Sequence, residues 1–142
     1  GFRKSLSDWL KSETQPLNAL VLGSGGASKA VIAALEDLDI DYSQVSRSSG
    51  KGLISYDQLT ATTVENHTLI INTTPLGMSP DIDSSPKLPY EAIGSNHFLY
   101  DLVYNPLETI FFKLGKDKGA KTKNCVDMLH LQAEKSWEIW NM

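Results

Sequence analysis

Three observations predict an α/β fold, with a mostly parallel sheet wound in three layers and helices on both faces. Residues 68–72 form an apolar run without alternation, which suits a parallel strand covered on both sides. Strand-like runs at 19–22, 41–46, 97–103 and 120–124 alternate with segments whose apolar residues recur at helical spacing. The first run empties into Gly23-Ser24-Gly25-Gly26, a glycine turn between strand and helix.

The elements follow in order. Phe2, Leu6, Trp9 and Leu10 share one face of an opening helix, with Ser5 and Asp8 as its capping pair and Pro16 ending the connection to the first strand. After the glycine turn, Ala27, Ala30, Val31, Ala34, Leu35 and Leu38 fall at helical spacing. The small residues at 27 and 30 let this helix lie close to the sheet. The second strand gives way to a Ser/Gly-rich loop through Gly52, and Ser55 with Gln58 boxes a short helix carrying Leu59. Residues 79–90, with Pro80, Pro86 and Pro89, read as a loop. Asn105-Pro106-Leu107-Glu108 reads as a helix start, with Leu107, Ile110, Phe111 and Leu114 as the apolar face and Gly119 as the stop. Leu129, Ala133, Trp137 and Trp140 form the apolar register of a final helix.

The 142 residues suit one domain, and 41% hydrophobic with 21% charged residues are globular proportions. A net charge of −4 without a basic stripe argues against a nucleic-acid partner. Cys125 is the only cysteine, so there is no disulfide framework. His67, His97 and His130 are scattered, and no metal is expected. With no secretory segment or membrane-length apolar run, a reducing cytoplasm is the expected compartment and no membrane partner is expected.

The chemistry concentrates around the first two strands. A glycine turn at a helix N-terminus lets backbone N–H groups approach a pyrophosphate. The residue ending the second strand separates the nicotinamide dinucleotides: an acid bonds a ribose 2′-hydroxyl, whereas an arginine suits a 2′-phosphate. Arg47 holds that place, Ser46, Ser48, Ser49 and Lys51 surround it, and no Asp or Glu competes. The reading is a Rossmann-type NADP site. A bare turn and a solvated arginine are the competing readings.

Four ordered motifs then carry a resemblance. Residues 23–30 (GSGGASKA), 72–78 (NTTPLGM), 100–109 (YDLVYNPLET) and 128–133 (MLHLQA) closely resemble the C-terminal domain of shikimate 5-dehydrogenase, over essentially the whole chain. The resemblance implies reduction of 3-dehydroshikimate to shikimate with NADPH, in aromatic amino acid biosynthesis. It assigns the cofactor to Gly23, Gly25, Gly26 and Ala27, to the clamp Ser46, Arg47, Ser48 and Lys51, and to Asn72, Thr73, Thr74 and Leu102. Cys125 stands where relatives place a glycine against the nicotinamide, and Asp127 replaces the second glycine of that turn. Tyr104 and Gln132 match positions that hold the shikimate ring.

Relatives carry the catalytic lysine and aspartate on a separate N-terminal domain, the aspartate in an Asn-Thr-Asp motif that continues Gly-Phe. Gly1-Phe2 opens this chain, so it reads as cut just after that motif, and its missing N-terminal domain is an expected partner. No catalytic residue is expected within 1–142. Lys29 should face solvent, and Asp101, His97 and His130 make unconvincing acids. The expectation is cofactor binding without turnover. The alternatives are a quinate-using or other NADP-dependent two-domain dehydrogenase, or a stand-alone nucleotide-binding regulatory module.

Overall fold

In the computed structural model, which describes residues 2–13, 17–47, 50, 52–103 and 106–124, strand β1 (Asn18–Leu22) sits inside a six-stranded sheet. It pairs on one side with β2 (Asp41–Ser46), beyond which lies β3 (Leu53–Ser55), and on the other with β4 (Leu69–Asn72), followed outward by β5 (Phe98–Asp101) and β6 (Lys121–Asn124). Every pairing is parallel, and the order β3-β2-β1-β4-β5-β6 is that of a doubly wound sheet. The predicted fold class is the observed one.

Alternate residues of β1 feed two cores. Ala19 and Val21 face α1 (Phe2–Trp9) and α2 (Gly26–Asp37), where Leu6, Val31 and Leu35 are buried with Ile71 and Tyr100. Leu20 and Leu22 face the opposite layer, built by Val64 of α3 (Ala61–Asn66) and Phe111 of α4 (Ile110–Asp117) with Ile70 and Leu99. Strands clothed on both faces need no polar alternation, which is why β4 reads Leu-Ile-Ile-Asn and is buried throughout.

Several local expectations are corrected. Ser5 is not a cap: it lies within α1, and its hydroxyl bonds Tyr100 Oη at 2.9 Å while Phe2 and Trp9 pack edge-on against the same ring. Helix α4 begins at Ile110, capped by Thr109, whose Oγ1 accepts from Phe112 N at 3.2 Å. Asn105 lies outside the described residues, Leu107 is 61% exposed, and Glu108 instead pairs with Lys116 at 2.7 Å. Ser55 and Gln58 do frame a turn, Gln58 Oε1 accepting from Ser55 N at 2.9 Å, but it is a 3-10 turn over Tyr56–Gln58 following strand β3. Neither β3 nor α3 was expected, because three and six residues are too few to display a period. Pro16 and the final helix fall outside the described residues.

Helix α4 lies close to the sheet through Gly115, where an added Cβ would stand 2.5 Å from Leu99 Cδ2 and 3.3 Å from Thr122 Cγ2. Leu99 is fully buried, so the overlap has to be relieved by shifting the helix or repacking the core. Gly115→Val should therefore destabilise the chain by about 1–3 kcal/mol, measured by denaturant unfolding. Unchanged stability would show that α4 can withdraw freely.

Candidate functional site

Four strand exits gather at the carboxyl edge of the sheet. β1 runs into the glycine turn, β2 ends at Ser46 before Arg47, β4 leads to Thr73 and Thr74, and β5 leads to Leu102. The winding direction reverses between β1 and β4, the point at which open parallel sheets form a crevice outside their strand ends. A concavity of about 340 Å³ at the opposite, amino edge, touching Thr68, Phe98 and Lys121, lies away from all these loops.

The glycines of the turn differ in what requires them. Gly23 has φ +116°, and a Cβ there would collide with Thr73 Oγ1 and stand 3.2 Å from Thr74 Cγ2. The fold itself demands this glycine. Gly25 has an ordinary φ of −84°, and a Cβ on Gly25 or Gly26 would meet nothing within 4 Å. The protein's own packing does not need these two glycines; a ligand approaching the backbone would. Gly25 also caps the 12-residue α2 with no side-chain cap bond and no acid in the first turn, which leaves the helix N-terminus to an outside anion.

The small residue packed beneath the turn is Ser28. Ala27 and Ala30, expected on that face, are exposed, whereas Ser28, Val31, Ala34 and Leu35 are buried. The Ser28 hydroxyl donates to Gly25 O at 2.6 Å and accepts from Gln44 Nε2 at 3.2 Å; Gln44 also donates to Gly23 O at 3.0 Å. Sequence reasoning missed Gln44. Its signal was a polar side chain inside a strand of a sheet covered on both faces.

At the end of β2, Ser46 Oγ lies 3.2 Å from Ser24 Oγ, so the second strand touches the glycine turn directly. Arg47 is exposed, and among the described residues no carboxylate pairs with it. Burial pushes the Tyr56 phenol up and the Arg47 charge opposes that shift, so the guanidinium field reaches the start of the 3-10 turn. Ser48 and Lys51 lie outside the described residues, as do Tyr104, Cys125 and Gln132.

Across β1, a buried polar cluster shapes the β4 and β5 exits. Asp101 is 1% exposed and accepts from Asn72 Nδ2 at 3.2 Å, from Val103 N at 3.0 Å and from Thr109 Oγ1. Asn72 Oδ1 in turn accepts from Thr74 N at 3.0 Å and Thr74 Oγ1 at 2.6 Å, while Asn72 O accepts from Leu102 N at 3.1 Å. One carboxylate thus ties together the β4 turn, the β5 exit and the cap of α4. His97 serves the fold: Nδ1 accepts from Gly94 N at 3.1 Å, leaving Nε2–H to donate to Val64 O at 2.8 Å. Lys29 is exposed on α2, as expected. Among the described residues no group of acids, His or Cys could hold a metal ion, and no helix is long and apolar enough to cross a membrane.

No family model matches the chain. Among curated relatives, the shikimate dehydrogenase (NADP(+)) of Methanococcus aeolicus is 34% identical over 154 residues, covering 99% of this chain and 55% of the relative. That of Ignicoccus hospitalis is 37% identical over 160 residues, covering 99% and 54%. Among solved structures, shikimate 5-dehydrogenase from Thermus thermophilus, in complex with NADP(H) and shikimate, superposes with a TM-score of 0.73 at 30% identity, covering 97% of this chain and 55% of that one. The chain spans about half the length of the relatives it matches.

The two kinds of glycine should respond differently to substitution. Gly23→Ala should cost on the order of 1–3 kcal/mol of stability, while Gly25→Ser, which keeps a favoured N-cap residue for α2, should stay within about 0.5 kcal/mol of the parent. Equal costs in denaturant unfolding would remove the distinction between them.

Asp101 should make stability depend on pH. Burial raises its carboxyl above the ordinary aspartate value, and hydrogen bonds from Thr109, Val103 and Asn72 offset only part of that. The folded chain therefore holds this proton more tightly than the unfolded chain. The resulting stability is full below the ordinary value and is lost as pH rises through the raised one. Asp101→Asn cannot titrate, so its stability relative to the parent should improve steadily across that window. A pH-independent difference would contradict the assignment.

Proposed function

We propose that this chain, which aligns over 99% of its length with shikimate dehydrogenase (NADP(+)), is the NADP-binding domain of an enzyme of that family, reducing 3-dehydroshikimate to shikimate. The observation that carries the reading is the pairing of two glycines that the fold does not require, at an uncapped helix N-terminus, with an exposed arginine that no described carboxylate neutralises.

NADPH, when bound, supplies the hydride. The chain's own groups bind and orient. The amides of Gly25, Gly26 and Ala27 meet the pyrophosphate, with the α2 N-terminus adding favourable field. Arg47 and Ser46, with Ser48 and Lys51, take the 2′-phosphate through charge-assisted bonds. Thr73, Thr74 and Leu102, on the far side of β1, are assigned to the ribose and nicotinamide, and Cys125 by its motif alone; Asn72, assigned with them by its motif, is fully buried and acts by fixing the Thr74 turn. The buried Asp101 holds that second set in one arrangement.

Tyr104 and Gln132 are assigned to the shikimate ring on the strength of their motifs. A ketone reduction also needs a proton donor at the developing alkoxide. His97 and Asp101 are committed to structural bonds and Lys29 is exposed on α2, so we assign that donor to the half of the enzyme that relatives carry beyond this alignment. A reducing cytoplasmic setting belongs to the same reading, supported by a single cysteine in 142 residues.

Titration of the chain with NADP+ and NAD+ tests the proposal. NADP+ should bind well ahead of NAD+, and Arg47→Ala should weaken NADP+ by about 10–100-fold while leaving NAD+ nearly unchanged. Equal affinity of the parent for the two dinucleotides would overturn the 2′-phosphate assignment.

A further inference from the structure

The glycine turn is held from below by a residue that no assigned role has used. Gln44 of β2 is half-buried, and both its amide protons are committed, one to Gly23 O at 3.0 Å and one to Ser28 Oγ at 3.2 Å. Ser28, fully buried, sends its own proton onward to Gly25 O at 2.6 Å. The hydrogen bonds run in one direction, from the Gln44 amide to two carbonyls of the turn.

That direction governs the other side of the loop. A trans peptide unit is planar, with its carbonyl and the following N–H pointing opposite ways. Drawing the Gly23 carbonyl toward Gln44 turns Ser24 N–H away from it. Drawing the Gly25 carbonyl toward Ser28 does the same for Gly26 N–H. The pair therefore sets which face of the turn presents donors. Gln44 supplies a proton to the Ser28 oxygen, which orients that hydroxyl with its own proton toward Gly25 O.

We propose that Gln44 is a positioning residue for the pyrophosphate of the cofactor, acting through Ser28 and the Gly23 and Gly25 carbonyls; the proposal rests on the dinucleotide reading above. The Gln44 amide bonds Gly23 and Ser28, and neither Ser46 nor Arg47, the described residues assigned to the 2′-phosphate, so its loss acts on the part common to both dinucleotides. NADP+ and NAD+ should weaken by the same factor when it is replaced.

The test compares the parent with Gln44→Leu and Gln44→Glu in NADP+ and NAD+ titrations, after thermal melts of each variant without ligand. Gln44→Leu should weaken both dinucleotides about tenfold, leaving their ratio unchanged. Gln44→Glu, an acceptor when ionised, should weaken both further near pH 8. Its dissociation constant relative to the parent should fall part of the way back toward one as pH drops to about 4 and the carboxyl regains one proton to donate. Taking the ratio at each pH removes the titration of the 2′-phosphate itself. Should Gln44→Leu not fold, Ser28→Ala removes the last donor of the same chain and should give the same equal loss. Parent-like binding by the folded variants, a changed NADP+ to NAD+ ratio, or a pH-independent ratio for Gln44→Glu would each overturn the proposal. A parent that binds neither dinucleotide would instead remove the cofactor reading on which it stands.

Discussion

The carbonyl of Leu22, at the last residue of β1, accepts two hydrogen bonds from Thr73, from its N at 2.9 Å and its Oγ1 at 2.6 Å. The loops leaving β1 and β4 are thereby fastened to each other at the point where the sheet reverses its winding. Only a residue without Cβ fits at position 23, directly against that threonine. The glycine turn, the Asn72–Thr74 turn and the crevice between them all take their positions from this one junction. It also explains how an exposed loop can be well defined: its first residue is set by the sheet, through Gly23 N bonding Val45 O at 2.8 Å, before any ligand is considered.

The polar cluster around Asp101 represents the opposite kind of constraint. A buried carboxylate is destabilising unless its lone pairs are met, and here three donors from three different segments meet them. Such a cluster adds little to net stability, since desolvation opposes each bond it forms. What it supplies is a single arrangement for the β4 and β5 exits, since any slip of either turn would strand a donor or an acceptor in the interior. Thr109 takes part twice, donating to the carboxylate and capping α4, so the start of that helix is registered against the strand ends.

How much of this was legible in the sequence depended on the length of the signal. The apolar strands and α2 could be read because their periods persist over several residues. The glycine turn could be read because glycine has few other reasons to recur at that spacing. The misreadings are local and share a cause. Asn105-Pro106 carries stronger capping chemistry than Thr109 by composition alone, yet Thr109 is the cap because Asp101 holds it in place, a partner at the end of the preceding strand that helical periodicity does not register. Ser5 looks like a cap and bonds a tyrosine 95 residues distant instead. Ala27 and Ala30 satisfied the size argument for close packing, but Ser28 is the residue turned inward, since the helix phase is set by the turn that precedes it. Of the candidate site residues, those defined by backbone geometry were the most readable. Gln44, defined by two hydrogen bonds across strands, was the least.

The exposure of Arg47 bears on how such a domain can change over generations. Its side chain belongs to neither apolar core and forms no ion pair with a described residue. A substitution there meets almost no resistance from folding, in contrast to Gly23, Asp101 or Ser28, where nearly every replacement is opposed by the surrounding structure. On the proposed reading, the position assigned to the distinguishing phosphate is thus free to drift while the residues assigned to the shared part of the ligand stay fixed. Selection on that one solvent-facing site can retune coenzyme preference without a compensating change elsewhere in the chain.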